Sequence, residues 1–277
     1  MPADALIHSI CDATSPRAPA MIVTIYGDLV MPNGGVMGMA TLISLCGRLG
    51  FSESLVRTAV SRLVTANRLE GERQGRRSFY RLTQAAREEF SDVSKRLHSP
   101  SSTPANWMIH MSPSASALAA ASSGKLGRLG GDLFLAPEQR DGPVEAQLTF
   151  EVASVSDESA LRELAASIWP LDNLAAGYRA FVQRFSVFET GDADISPQQA
   201  LLLRLLLVHE FRMILLSDPR LPANALPADW PGDKARRLFD ALHDALSARA
   251  HHAITQLFAD MPAFGDDPDS ASRPTGL

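Results

Sequence analysis

Cysteine is almost missing from this chain, which carries only Cys11 and Cys46 in 277 residues. Two thiols so far apart make neither a metal-ligand spacing nor a disulfide framework. Cys11 falls in a lead expected to be mobile, and Cys46 falls on the apolar side of an expected helix, where it reads as a small core residue. The seven histidines include no His-Glu-x-x-His, and His251-His252 are adjacent rather than one helical turn apart. No metal and no cofactor are expected. No apolar run approaches the roughly 20 residues that span a bilayer, and no basic segment followed by a hydrophobic stretch opens the chain. The expected address is therefore cytoplasmic, with no membrane partner. With 45% hydrophobic residues, the length suits two or three domains.

Positive charge is also scarce overall, at a formal net charge of -5, but it is unevenly placed. Arg48 to Arg87 hold nine arginines against Glu53, Glu70 and Glu72. An acidic protein avoids indiscriminate polyanion binding, while one basic face can still displace counterions from a duplex.

Within that stretch, Ser52 can cap a helix on which Leu55, Val56, Ala59, Val60, Leu63 and Val64 recur as one buried stripe. The opposite face carries Ser54, Arg57, Thr58, Ser61, Arg62 and Thr65. Small hydroxyls let a helix enter the roughly 12 Å wide major groove, and arginines there can reach guanine edges or phosphates. Met37 to Leu49 reads as a preceding helix with Gly50 at the turn, and Ala20 to Val30 as a first helix ending near Gly27-Asp28, before the breaker cluster Met31-Pro32-Asn33-Gly34-Gly35. Leu69 to Arg73 and Ser78 to Leu82 read as strands joined by Gln74-Gly75-Arg76. Three helices and a basic hairpin have the layout of a winged helix-turn-helix. The candidate base readers are Arg57 and Arg62, helped by Ser54, Thr58 and Ser61, while Arg73, Arg76 and Arg77 on the hairpin suit phosphates or the minor groove. Arg68 and Arg81 fit packing over the hairpin base as well as contact. Such a module also serves as a protein docking unit; the coincidence of helix, turn, hairpin and charge favours double-stranded DNA.

The expected fold class is mainly α with α+β. Residues 1–18 form the lead, 19–98 a winged helix-turn-helix domain, 105–190 a ferredoxin-like central domain, 195–261 a helical domain, and 262–277 a mobile tail. Ser99 to Pro104 is the linker. In the centre, Trp107 to Met111, Gly131 to Ala136 and Ala146 to Val155 read as strands, Ser114 to Leu126, Leu161 to Ala166 and Leu171 to Phe188 as helices, the order of a split βαβ unit. Gly124, Gly127, Gly130 and Gly131 follow a helix rather than opening one, so they suit a flexible turn better than a phosphate cradle. Ser196-Pro197 opens a helix that is apolar almost all round up to Leu216, and a closing helix runs from Asp233 to Phe258. Arg204, His209, Glu210 and Arg212 on the apolar helix need internal partners or a cavity. The first choice makes them ion pairs, and the second makes Arg204, His209 and Arg212 a site for an anionic small molecule.

The chain resembles the PaaX family of bacterial repressors that control phenylacetate breakdown. The resemblance rests on Ile25-Tyr26-Gly27-Asp28, Pro32-x-Gly34-Gly35, Leu55 to Leu63, Gly75-Arg76-Arg77-Ser78-x-Tyr80-Arg81-Leu82-Thr83, His209-Glu210-Phe211-Arg212 with Asp218-Pro219, and Leu226-Pro227-x-Asp229-Trp230-Pro231-Gly232. It runs nearly end to end, with the middle matching mainly in pattern. It implies the three-part architecture above, a homodimer, repression of a catabolic operon, and release from DNA by an acyl- or aryl-CoA effector such as phenylacetyl-CoA.

Two other classes compete. An enzyme acting on a CoA thioester could use His209 and Glu210 as acid and base, but adjacent helical residues point about 100° apart and no nucleophile motif accompanies them. A ferredoxin-like nucleic-acid processing protein would want a carboxylate at the end of its first strand, where His110-Met111 stand. A non-enzymatic regulator is the expectation.

Overall fold

The computed structural model describes residues 3–98, 106–138, 144–189, 194–259 and 261. It is mainly helical with two small antiparallel sheets, an α+β architecture. The chain gathers into two compact units: Met1–Lys95 with Asp192–His209 and His243–Leu277, and Arg96–Gly191 with Glu210–Leu242. The carboxyl-terminal helices, expected as a third domain, divide between these two. The linker at 99–104 and the tail from 262 lie outside the described residues.

In the first unit, the lead expected to be mobile contains α1 (Ala3–Thr14), because Ala3, Ile7 and Ile10 form an i, i+4, i+7 stripe that is buried. Next, α2 (Ala18–Ile25) has Pro19 in its first turn and buries Met21, Ile22 and Ile25. Beyond Ile25 the ladder widens into a π-helical turn, Tyr26–Val30, where Met31 N–H donates to Tyr26 O. Gly27 is required there: a Cβ would stand 2.6 Å from the Phe90 ring. A short strand unforeseen in the sequence, β1 (Val36–Gly38), delays α3 to Met39–Arg48. Gly50, at φ 89°, reverses the chain, and Phe51 N–H donates to Cys46 O.

The next helix, α4 (Glu53–Thr65), is capped by Ser52, whose Oγ accepts from Leu55 N–H. It buries Val56, Ala59, Val60 and Leu63. Leu55 and Val64, expected in the same stripe, are 46% and 40% exposed. At about 100° per residue they lie just beyond the two edges of the arc those four residues occupy. The hairpin comes next as β2 (Leu69–Gln74) and β3 (Arg77–Leu82), with Leu69 opposite Leu82 and Gln74 opposite Arg77. That register leaves Gly75-Arg76 as a two-residue tip. Strand β1 pairs on the far side of β3, giving the order β1-β3-β2. Helix α5 (Gln84–His98) follows, and the amino-terminal part of this unit ends within it at Lys95.

The second unit contains β4 (Trp107–Met111), α6 (Ala115–Ser122), β5 (Gly127–Gly130), β6 (Leu133–Pro137) and β7 (Leu148–Val152). The sheet order is β5-β6-β4-β7, with every neighbour antiparallel. Strand alternation splits its side chains: Trp107 and Leu135 join the core of Leu161, Ala165, Trp169 and Leu174, while Phe134 and Ala136 meet Ala117 and Leu126. Of the glycines expected as a flexible turn, Gly124 and Gly131 do lie in turns, at φ 74° and 52°, while Gly127 and Gly130 belong to β5, where a Cβ on Gly127 would stand 2.6 Å from the Trp169 indole. Helices α7 (Glu158–Ile168) and α8 (Leu171–Phe185) come after the sheet, and the Asp157 carboxylate accepts from Ser159 N–H and Ala160 N–H to start the first.

Two long helices complete the chain, α9 (Pro197–Leu215) and α10 (Gly232–Phe258). A reciprocal box starts α9: Ser196 N–H donates to Gln199 Oε1 at 3.0 Å, and Gln199 N–H donates to Ser196 Oγ at 3.3 Å.

Candidate nucleic-acid interface

On α4 the buried arc is opposed by Ser54, Ser61, Thr65 and Thr58, all exposed. Arg57 and Arg62 stand on either side of this hydroxyl ridge, about 140° apart around the helix axis. The threonine hydroxyls donate to backbone carbonyls one turn back, Thr58 Oγ1 to Ser54 O at 2.8 Å and Thr65 Oγ1 to Ser61 O at 3.1 Å. The ridge therefore keeps a low profile, lined by methyls and hydroxyl lone pairs.

The two arginines have different surroundings. Arg57 faces a cleft of about 500 Å³ whose walls include Ser61 and Thr65 from α4 and Arg73, Ser78 and Tyr80 from the hairpin. Gly71 opens this cleft, since a Cβ there would stand 2.7 Å from the Tyr80 ring. Arg62 lies on the flank away from these side chains. At the hairpin tip, Arg73, Arg76 and Arg77 are exposed, and Arg73 Nε donates to Gly75 O at 3.2 Å. Tyr26 Oη donates to Tyr80 O, which ties the hairpin to the π-helical turn.

Arg68 and Arg81 have carboxylate partners in the same unit. Arg68 pairs with Glu89, and Arg81 Nε donates to Glu70 Oε1 at 2.7 Å. The structure thus brings Arg57 and Ser61 together with Arg73 at one helix-and-hairpin cleft, keeps Ser54 and Thr58 exposed on the same helix, leaves Arg62 on the other flank of that helix, and exposes Arg76 and Arg77 at the hairpin tip. Sequence reasoning missed Glu53, which takes Arg57 as its partner; the Glu-x-x-x-Arg spacing was the available signal.

The residues considered for a small-molecule site are placed differently. Arg204 Nη2 donates to Asp28 Oδ1 at 2.9 Å and to Asp28 O at 3.2 Å. Burial pushes the Asp28 carboxyl up, but the hydrogen bond from His243 and the Arg204 guanidinium outweigh it and hold the group below the usual carboxylate range. Thr24 Oγ1 donates to Ala20 O, so the 2.9 Å contact with His209 Nδ1 has the ring nitrogen donating. Arg212 is half-buried in the other unit. Glu210 pairs with Arg184, yet burial prevails over that guanidinium and moves its carboxyl up to about 7. Cys46 is buried, which pushes its thiol up to about 12 and makes it a core residue rather than a nucleophile. Among the described residues, no cluster of His, Cys, Asp or Glu could hold a metal ion, and no helix is long and apolar enough to cross a membrane.

These elements define a class of protein: an α+β chain that offers a hydroxyl-ridged, arginine-flanked helix beside a basic hairpin. Comparison with known proteins supplies the family. Residues 17–86 match the family described as PaaX-like protein, and residues 169–256 match the PaaX-like protein C-terminal domain, together more than half of the chain. Over 262 residues the chain is 29% identical to the transcriptional repressor PaaX of Escherichia coli (strain K12), covering 85% of this chain and 82% of that one. The chain belongs to the PaaX-like family. Among solved structures, the uncharacterized protein Rv0674 from Mycobacterium tuberculosis aligns over 77% of this chain and 89% of its own, at 21% identity and a TM-score of 0.48.

Proposed function

We propose that this chain is a cytoplasmic, DNA-binding transcriptional repressor whose amino-terminal region works as a winged helix-turn-helix. The observation that carries the reading is the surface of α4, where a ridge of small hydroxyls lies between Arg57 and Arg62 and beside the basic tip of β2 and β3. The ridge is shaped to enter a major groove, with Arg57 and Arg62 at its two shoulders for base edges. Arg73, Arg76 and Arg77 then grip phosphates at the flank. The name of the Escherichia coli relative supports repression as the outcome of binding.

The central sheet, in the order β7-β4-β6-β5 with α6 crossing between β4 and β5, supports the ferredoxin-like reading. Its outer strand β7 exposes Leu148 and Phe150, at 46% and 49%. A second copy is the occupant that fits. Antiparallel pairing of two β7 strands about Phe150 sets Leu148 opposite Val152 and the Thr149 hydroxyl opposite the Glu151 carboxylate, with no like charges facing. The repressor then acts as a homodimer, with two copies of α4 on a near-palindromic site.

The family resemblance supports an aryl-CoA effector such as phenylacetyl-CoA and a phenylacetate-type operon. Arg204 and His209, engaged with Asp28 and Thr24, serve packing in this reading rather than the thioester. The test is a gel shift on the DNA upstream of the gene, with and without a panel of CoA thioesters. A retarded band released by one thioester is expected. A chain that retards no duplex, or that turns over the thioester, overturns the reading.

A further inference from the structure

Arg57 does not stand alone on its ridge. One turn earlier, at the first residue of α4, Glu53 offers a single carboxylate oxygen to two of its nitrogens: Nε and Nη2 each lie 2.8 Å from Oε1. Both side chains are more than half exposed, so packing does not force the contact. An exposed i, i+4 pair contributes only a few tenths of a kcal/mol to a helix. Nor is Glu53 needed as a cap, since Ser52 already accepts from Leu55 N–H. On a surface meant for a polyanion, a carboxylate also lowers affinity. As an acid in the first turn, Glu53 gains about 0.3–1 kcal/mol from the helix dipole, but that gain does not depend on its contact with Arg57.

The donor geometry gives the contact a purpose. A guanidinium has five N–H groups, and a carboxylate oxygen on the Nε/Nη2 edge engages two of them. The remaining donors are on Nη1 and the outer side of Nη2, and together they form the terminal fork that matches O6 and N7 of guanine. Held by Glu53, Arg57 presents that fork in one orientation. The same carboxylate repels a phosphate that would draw the guanidinium aside.

We propose that Glu53 is a specificity-determining positioning residue, one that orients Arg57 for a guanine edge and discourages its use as a general phosphate contact. The proposal rests on the DNA-reading function above. It is tested with the full-length chain on two duplexes, one selected by the wild type from a random library and one unselected, measured for wild type, Glu53→Ala, Glu53→Gln, Arg57→Ala and the double variant Glu53→Ala/Arg57→Ala. Glu53→Ala is expected to bind the unselected duplex a few-fold more tightly and to lower the selected-to-unselected ratio by about tenfold, the scale of one misplaced bidentate contact. Glu53→Gln keeps an acceptor but no charge and falls between. The double variant has the same selected-to-unselected ratio as Arg57→Ala, because Glu53 sets specificity through Arg57. An unchanged ratio in Glu53→Ala, or losses that add in the double variant, overturns the proposal while leaving DNA reading intact. A wild type with no preference between duplexes overturns both, and melting temperatures equal to wild type show that the effects are not unfolding.

Discussion

Arg204 Nη2 lies 2.9 Å from Asp28 Oδ1, with the arginine side chain 13% exposed and the aspartate 3%. A late helix is thereby joined to the π-helical turn near the start of the chain, within one compact unit. Removing one partner of such a pair leaves a buried charge without its counterpart. Asp28→Asn or Arg204→Leu is expected to lower stability by about 3–5 kcal/mol. The double variant should recover part of that loss in chemical denaturation; two single changes each within about 1 kcal/mol of wild type would show that the pair is unimportant.

The two groups of interface arginines should separate in binding assays. Arg57→Ala or Arg62→Ala is expected to reduce the preference for operator over random duplex by about 1–3 kcal/mol per lost base contact. Changing Arg76 and Arg77 together to Ala should weaken binding to both duplexes and make the slope of log affinity against log salt shallower by about two, one released counterion for each lost phosphate contact. An unaltered slope would remove the hairpin tip from the interface.

Strand β7 offers a test of assembly. Phe150→Glu places a carboxylate opposite its own copy in the proposed pairing, so light scattering should report a monomer where the wild type is a dimer. Phe150 is half exposed in the single chain, and the variant should keep its fold by circular dichroism. A Phe150→Glu chain as dimeric as wild type would place the contact elsewhere.

Glu210 predicts a dependence on pH. Its carboxyl sits at about 7 in the folded chain against 4.5 for an unperturbed group, so folding favours its protonated form. The stability it contributes is fully present below about pH 4.5 and is lost as the pH rises through 7. Asp28 acts in the opposite sense: its lowered carboxyl contributes stability above the ordinary aspartate range, which is lost on acidification. Glu210→Gln should therefore shrink the fall in melting temperature between pH 5 and pH 8. Equal falls in both proteins would show that Glu210 does not titrate in that window.

Helix α4 and the hairpin were legible from the sequence because their signals are local. Ser52 as cap, the apolar recurrence from Val56 to Leu63 and the glycine at the hairpin tip each act over a few residues. Features that depend on distant partners were hidden. Leu55 and Val64 read as core by type, although the arc of α4 that α2, α3 and β2 cover is too narrow to include them. Strand β1 is three residues long and exists only because β3 offers it an edge. Ile7 and Ile10 sit in a lead whose composition suggests mobility, and only their spacing hints at the helix. For Arg204 the need for a partner was evident, while its identity as Asp28 depended on a fold that unites residues far apart in the chain.

The π-helical turn has a consequence for how this region tolerates change. Its surplus residue lets Tyr26, Leu29 and Val30 all point inward while the Asp28 carboxylate also turns toward Arg204, more inward positions than a regular α-helical arc supplies. Deleting one residue between Tyr26 and Val30 would restore ordinary helical phasing and swing the downstream chain by about 100°. Composition would be almost untouched, yet the aspartate would lose its arginine and the next turn would emerge pointing elsewhere. This short segment should therefore accept replacements in kind far more readily than any change in its length.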